Sequence, residues 1–154
     1  MAPRMTAHDV FEFLGPKQLD IISEQSNKIR MEAGEFVYHM GEPADHLYTV
    51  LEGQVALRLP GKSGTSVLID QLGKGATFGS CVSFHGGTYA LTAQCTENTQ
   101  LLMTRANVMK SLMDDDLVMG YAIQSRISEI YFHRYLETMN KLQAIVMNIP
   151  IEPS

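Results

Sequence analysis

Apolar positions in the first 25 residues recur at helical spacing. Val10, Phe11 and Leu14 form one run, Gly15-Pro16 breaks it, and Leu19, Ile21 and Ile22 continue in a second. Two short helices are therefore predicted over 7–25. From Asn27 the pattern changes to short strand-forming runs separated by turn residues every 8 to 12 positions. The runs are Lys28–Met31, Glu35–His39, Leu47–Leu51, Gln54–Leu59, Ser66–Leu72, Tyr89–Gln94 and Gln100–Thr104. Glycines punctuate them at Gly34, Gly41, Gly53, Gly61, Gly64, Gly73 and Gly75, where tight corners call for backbone angles that suit residues without a side chain. Gly61 to Gly64 is predicted to close a hairpin between its flanking runs. Strands at this spacing predict an all-β sandwich or barrel rather than alternating strands and helices.

After Thr104 helical spacing returns. Arg105–Met113 carries Val108, Met109 and Leu112 on one side. Asp114-Asp115-Asp116 then suits the start of a further helix, because carboxylates there cap free N–H groups and match the helix dipole. The segment from Leu117 to about Met147 has no proline and one glycine, and its apolar band includes Tyr121, Ile123, Ile127, Ile130, Tyr131, Tyr135, Met139, Leu142 and Val146. Such a helix spans about 40 Å, longer than a small barrel can cover. Its far half is expected to bury its stripe on a second copy of itself, with Ile123, Ile127, Ile130, Tyr131 and Arg134 at that interface. Pro150 and Pro153 end the helical potential.

Composition narrows the function classes. With 154 residues, 45% of them apolar, one domain with a real core is expected. A net charge of −5 argues against a dedicated nucleic-acid binder, whose affinity comes mostly from phosphate neutralisation. No apolar run is long enough to cross a membrane, and the N-terminus lacks a secretory signal pattern, so a cytoplasmic location is expected. Cys81 and Cys95 are isolated, without the spacing of a disulfide framework or zinc site.

Four local patterns in register add a further reading. They are Ala33-Gly34-Glu35-Phe36-Val37-Tyr38, Gly41-Glu42-Pro43-Ala44-Asp45-His46-Leu47-Tyr48, Leu51-Glu52-Gly53-Gln54-Val55 and Leu72-Gly73-Lys74-Gly75-Ala76-Thr77-Phe78-Gly79. Together with the element order, they make residues 10–136 resemble the cyclic-nucleotide-binding domain of catabolite-activator (Crp/Fnr-type) regulators. The resemblance implies a mainly β fold, a double-stranded β-helix (jelly roll) over about 27–104. Two helices would precede it, a short and a long helix would follow over 105–147, and 148–154 would form a tail. It also implies a ligand pocket at Phe78, Gly79, Ser80, Cys81, Thr88, Tyr89 and Ala90.

The departures from that family concern the chemistry of the pocket. Nucleotide-binding members follow Phe-Gly with a Glu for the ribose hydroxyl and, several residues later, an Arg for the cyclic phosphate. Here Ser80 stands at the first place and Tyr89, or Thr88 if the loop shifts by one, at the second, and no Lys or Arg occurs between Lys74 and Arg105. An anion entering a barrel loses hydration that a Ser, a Tyr and a few N–H groups replace only in part. Weak or absent binding of cyclic AMP and cyclic GMP is expected. Either the pocket takes another small anion or molecule, or Tyr89 and Phe84 fill it. Arg134 could bring a cation to the pocket from the long helix, or it could pair with Glu137 on the same helix face.

Other chemistry has less behind it. His39, His46 and Glu52 faintly resemble a cupin metal site but lack its His-x-His spacing. Cys81 stands where a helix start could activate a thiol, or it is a small buried hydrophobe. No nucleophile elbow, phosphate loop or paired-acid arrangement points to an enzyme. The expectation is a non-enzymatic regulatory or sensory module, a homodimer through the long helix, with a small-molecule ligand and a protein effector left open. A ligand-free interaction scaffold is the main rival, and a cupin-like metalloenzyme the lesser one. The family's DNA-reading module is not found within the 154 residues, so no nucleic-acid contact is expected from this chain alone.

Overall fold

A computed structural model describes residues 15–79 and 87–148. Helix α1 (Pro16–Glu24) precedes eight strands. These are β1 (Ser26–Met31), β2 (Phe36–Tyr38), β3 (His46–Glu52), β4 (Val55–Pro60), β5 (Ser66–Leu72), β6 (Thr77–Phe78), β7 (Thr92–Cys95) and β8 (Thr99–Arg105). Helices α2 (Ala106–Asp115) and α3 (Leu117–Met147) complete the elements among the described residues. The first predicted helix, ahead of Gly15, lies outside the described residues.

The strands form two four-stranded antiparallel sheets, ordered β1-β8-β3-β6 and β2-β7-β4-β5. This is the order of a double-stranded β-helix, as the sequence predicts. Inward residues of both sheets meet in one core that includes Val50, Val55, Leu57, Leu72, Phe78, Ala93 and Leu101. The β4–β5 hairpin closes as expected: Pro60 pairs with Ser66, Gly61 donates to the Thr65 carbonyl, and Ser63 and Gly64 take positive φ.

Two strand boundaries differ from the pattern. The pair β6 was not predicted, because two residues are too few to show a period; Thr77 and Phe78 pair with Thr49 and Tyr48. The run at Tyr89–Gln94 joins the sheet only at Thr92. Upstream of that, Tyr89 donates its N–H to the Glu42 carbonyl and accepts from the Gly41 N–H, and Thr88 bridges Pro43. The backbone there is held by the 41–43 turn instead of by the sheet.

A second apolar cluster joins the helices to the barrel. It contains Ile22 of α1, Leu47 of β3, Met109 of α2, and Met119, Ile123, Ile127 and Ile130 of α3. Asp116 caps α3 by accepting from the Met119 N–H at 3.1 Å, as the acidic run predicts. The expectation that Ile123, Ile127 and Ile130 serve a dimer interface is corrected here. They are 1%, 1% and 5% exposed inside their own chain, so they have no surface to give a partner. Spacings of three and four residues place them on one helix face, and that face is spent on Leu47 and Met109.

Candidate ligand pocket

The glycine stretch reaches the pocket through β6. Phe78 is buried in the barrel core, and Gly79 follows with φ +74°. A side chain at Gly79 would stand 3.2 Å from the His46 carbonyl and 3.2 Å from the Tyr89 ring. The glycine is thus needed for close aromatic packing as well as for its backbone angle. Ser80, Cys81 and Phe84 lie outside the described residues.

Tyr89 occupies the centre of the site. It is buried, and its ring stacks on Tyr38 at 3.6 Å between centroids and 10° between planes. Its hydroxyl donates to the His46 carbonyl at 2.6 Å and accepts from the His46 N–H at 3.3 Å. Tyr48 and Phe78 stack behind at 5.4 Å. Four rings thus fill the end of the barrel that the glycine stretch borders, each with a partner of stacked or tilted geometry.

Burial pushes the Tyr38, Tyr48 and Tyr89 phenols above their ordinary range, most strongly at Tyr38, where Tyr131 and Tyr89 add to the effect. A group whose folded pKa is raised contributes stability that is fully present below the unfolded value and is lost as pH rises past it. For tyrosine that window opens near pH 10. Stability should be flat up to about pH 9, then fall by up to about 1.4 kcal/mol per pH unit for each buried phenol. Urea unfolding at about pH 8 and about pH 11 checks this, and equal midpoints would refute it.

Beside the rings a cavity of about 90 Å³ remains, bordered by Tyr38, Leu57, Tyr89, Tyr131 and Arg134. Sites for small organic ligands run from about 300 to 1,000 Å³. Gly79, Thr88, Tyr89, Ala90 and Arg134 line this cavity, whereas Phe78, assigned to the same pocket, is buried in the core beside it. Tyr131, expected only at a dimer interface, lines it too and is 37% exposed.

Arg134 reaches the cavity from α3, with its guanidinium 5.2 Å from the Tyr131 ring centroid. It donates to the Asp70 carboxylate from Nε at 3.4 Å and Nη2 at 3.3 Å, and both side chains are 12% exposed. The partner is therefore Asp70 of β5, not Glu137 of the same helix. Asp70 escaped the sequence reading. Its signal was a lone charge inside the strand Ser-Val-Leu-Ile-Asp-Gln-Leu.

Elsewhere, the described residues contain no group of three or more His, Cys, Asp or Glu that could hold a metal. His39 pairs with Glu42 at 2.9 Å on the surface. No helix among the described residues is long and apolar enough to cross a membrane.

Comparison with known proteins bears on the family and the fold. Residues 28–116 match the family model of the cyclic nucleotide-binding domain. The chain is 28% identical over 133 residues to the cyclic nucleotide-gated potassium channel mll3241 of Mesorhizobium japonicum, covering 86% of this chain and 33% of the channel. It is 25% identical over 87 residues to lysophospholipase nte1 of Aspergillus oryzae, covering 56% of this chain and 6% of that protein. It thus spans a third or less of the length of these relatives. The crystal structure of the Thermus thermophilus catabolite activator protein superposes with a TM-score of 0.72 at 21% identity, over 89% of this chain and 62% of the other.

Proposed function

Since the chain belongs to the cyclic nucleotide-binding domain family, we propose that it is a non-enzymatic regulatory module whose pocket is filled by its own side chains and whose state is carried by α3. One observation carries this reading: Tyr89 stacks on Tyr38 at 3.6 Å where a ligand would lie. Electrostatics point the same way. Arg134 is the sole Lys or Arg lining the cavity among the described residues, and its charge is already matched by Asp70. A cyclic phosphate entering there would find no uncommitted cation, and buried anions need one. Isothermal titration with cyclic AMP and cyclic GMP is expected to give no binding tighter than about 1 mM, roughly −4 kcal/mol. Micromolar binding of either nucleotide by the parent protein would overturn the reading.

The long helix supplies the output. Its outward face carries Val118, Tyr121, Phe132, Tyr135, Met139, Leu142 and Val146, spaced by threes and fours, with Ser125 and Ser128 completing the series. That is the heptad spacing of a two-stranded coiled coil. The proposed dimer seam is this face, diametrically distinct in role from the isoleucine face packed on the barrel. A Phe132→Glu, Tyr135→Glu double variant should sediment as a folded monomer while the parent sediments as a dimer. A monomeric parent ends the dimer proposal. An Ile127 variant would not serve, since Ile127 is 1% exposed in the core and its change would lower the chain's own stability.

A further inference from the structure

The pocket's arginine already has an anion, and the chain supplies it. Asp70 is the cross-strand partner of Leu57, and Leu57 lines the cavity. Cross-strand partners share a sheet face, so Asp70 stands on the pocket side of β5. Arg134 arrives from the opposite direction, 64 residues later, at the middle of α3. Both side chains are largely withdrawn from water, and the guanidinium stands near the Tyr131 ring. Two residues before Asp70 on the same strand, the Leu68 carbonyl accepts from Lys141 Nζ at 3.0 Å. Seven residues separate Arg134 from Lys141, which puts them on one helix face, and both reach β5 on either side of its register shift, Arg134 at the Asp70 side chain and Lys141 at the Leu68 backbone carbonyl. The two contacts thus tie one short stretch of β5 to one face of α3.

We infer that Asp70 is a tethered anion that replaces an external one at Arg134 and latches α3 onto β5, setting the helix position without a ligand. It rests on the proposed function only in taking α3 as the output. Tyr89 fills the space of a planar ligand and Asp70 satisfies the charge of an anionic one. The two side chains make the pocket complete from within. The latch also defines what would reset it: a small anion able to exchange with the Asp70 carboxylate at Arg134 would free the far half of α3 from the barrel.

The test uses the full chain and two variants, Asp70→Ala and Arg134→Gln, with inorganic phosphate as the probe anion. Amide hydrogen exchange over residues 131–147 is expected to quicken by about tenfold or more in each single variant. The double variant should show little further increase, as expected when both residues serve one interaction. Phosphate should raise the melting temperature of Asp70→Ala, where Arg134 is freed, and leave the parent and Arg134→Gln unmoved. Unchanged exchange over 131–147 in Arg134→Gln overturns the latch, and this arm stands even if Asp70→Ala does not fold. Equal stabilisation of the parent by phosphate overturns the claim that Asp70 holds the site. Cyclic nucleotide binding by the parent would refute the proposed function while leaving the exchange result intact, so the two failures are separable.

Discussion

Tyr89→Ala is expected to destabilise the protein by about 3 to 5 kcal/mol, the range for removing a fully buried aromatic side chain. The ring is 6% exposed and stacked on Tyr38, and it borders a cavity of about 90 Å³ that would grow by the volume of a phenol. Its neighbours Tyr38 and Gly79 cannot close the gap cheaply. Tyr38 is held by Tyr48 and Phe78, and Gly79 is held by β6 on one side. Tyr89→Phe keeps the ring and loses only the two hydrogen bonds to the His46 backbone, which should cost about 1 to 2 kcal/mol. Urea unfolding of the three proteins separates the contributions. A loss below about 1 kcal/mol for Tyr89→Ala would mean the ring is not the filling of the pocket, and the proposed function would lose its main support.

Gly53→Ala should have a comparable effect through the backbone. Gly53 turns the chain from β3 to β4 with φ +102°. An added Cβ would stand 2.6 Å from the Asn98 carbonyl oxygen and 2.7 Å from Thr99 Cα. Those atoms cannot retreat easily. The Thr99 hydroxyl accepts from the Gln54 N–H at 3.2 Å, and it lies within hydrogen-bond distance of the Gln54 and Glu97 carbonyls. Strain at positive φ and overpacking each cost on the order of 1 to 3 kcal/mol, so about 3 to 5 kcal/mol is expected in sum. The melting temperature should fall by roughly 10 °C. Gly34→Ala is the control: its φ is +92°, yet nothing lies within 4 Å of the added carbon, so only the conformational cost of about 1 to 2 kcal/mol applies. Equal losses at the two glycines would show that close approach at Gly53 does not matter.

The two experiments probe the same architecture from opposite ends. Gly53 secures the turn where β3 and β4 pass between sheets, next to the start of β8. Tyr89 secures the end where the glycine stretch, the 41–43 turn and α3 converge on the cavity. Only the second end touches the proposed output helix. Variants at Gly53 should therefore lower stability without altering the exchange behaviour specific to residues 131–147, whereas variants at Asp70 or Arg134 should quicken exchange there beyond the rest of the chain, in addition to the stability lost when one buried charge is left without its partner.

Local chemistry was sufficient to place most elements from the amino-acid order. Alternating runs broken by glycines located seven of the eight strands, and the Asp114–Asp116 start with no proline up to Met147 located α3. The absence of Lys and Arg between Lys74 and Arg105 was also visible, because it needed only the order of residues. Three features depended on distance in space. The band on α3 is apolar over too wide an arc for periodicity to say which part faces home. Packing on Leu47 and Met109 took Ile123, Ile127 and Ile130 and left Phe132 and Tyr135 outside. The partner of Arg134 could not be found by helix spacing, which sees Glu137 three residues on but not Asp70 on a strand 64 residues earlier. Tyr89 was legible as an apolar-rich strand residue, but its stack on Tyr38 arises only when the 41–43 turn holds the backbone of Tyr89 against β2. The mainly β fold with its flanking helices and the stretch without Lys or Arg from 75 to 104 could both be read from neighbours along the chain. The pairing of Arg134 with Asp70 and the exposure of Phe132 and Tyr135 on α3 emerge only from the folded chain, because burial and ion pairing depend on which surfaces meet after folding.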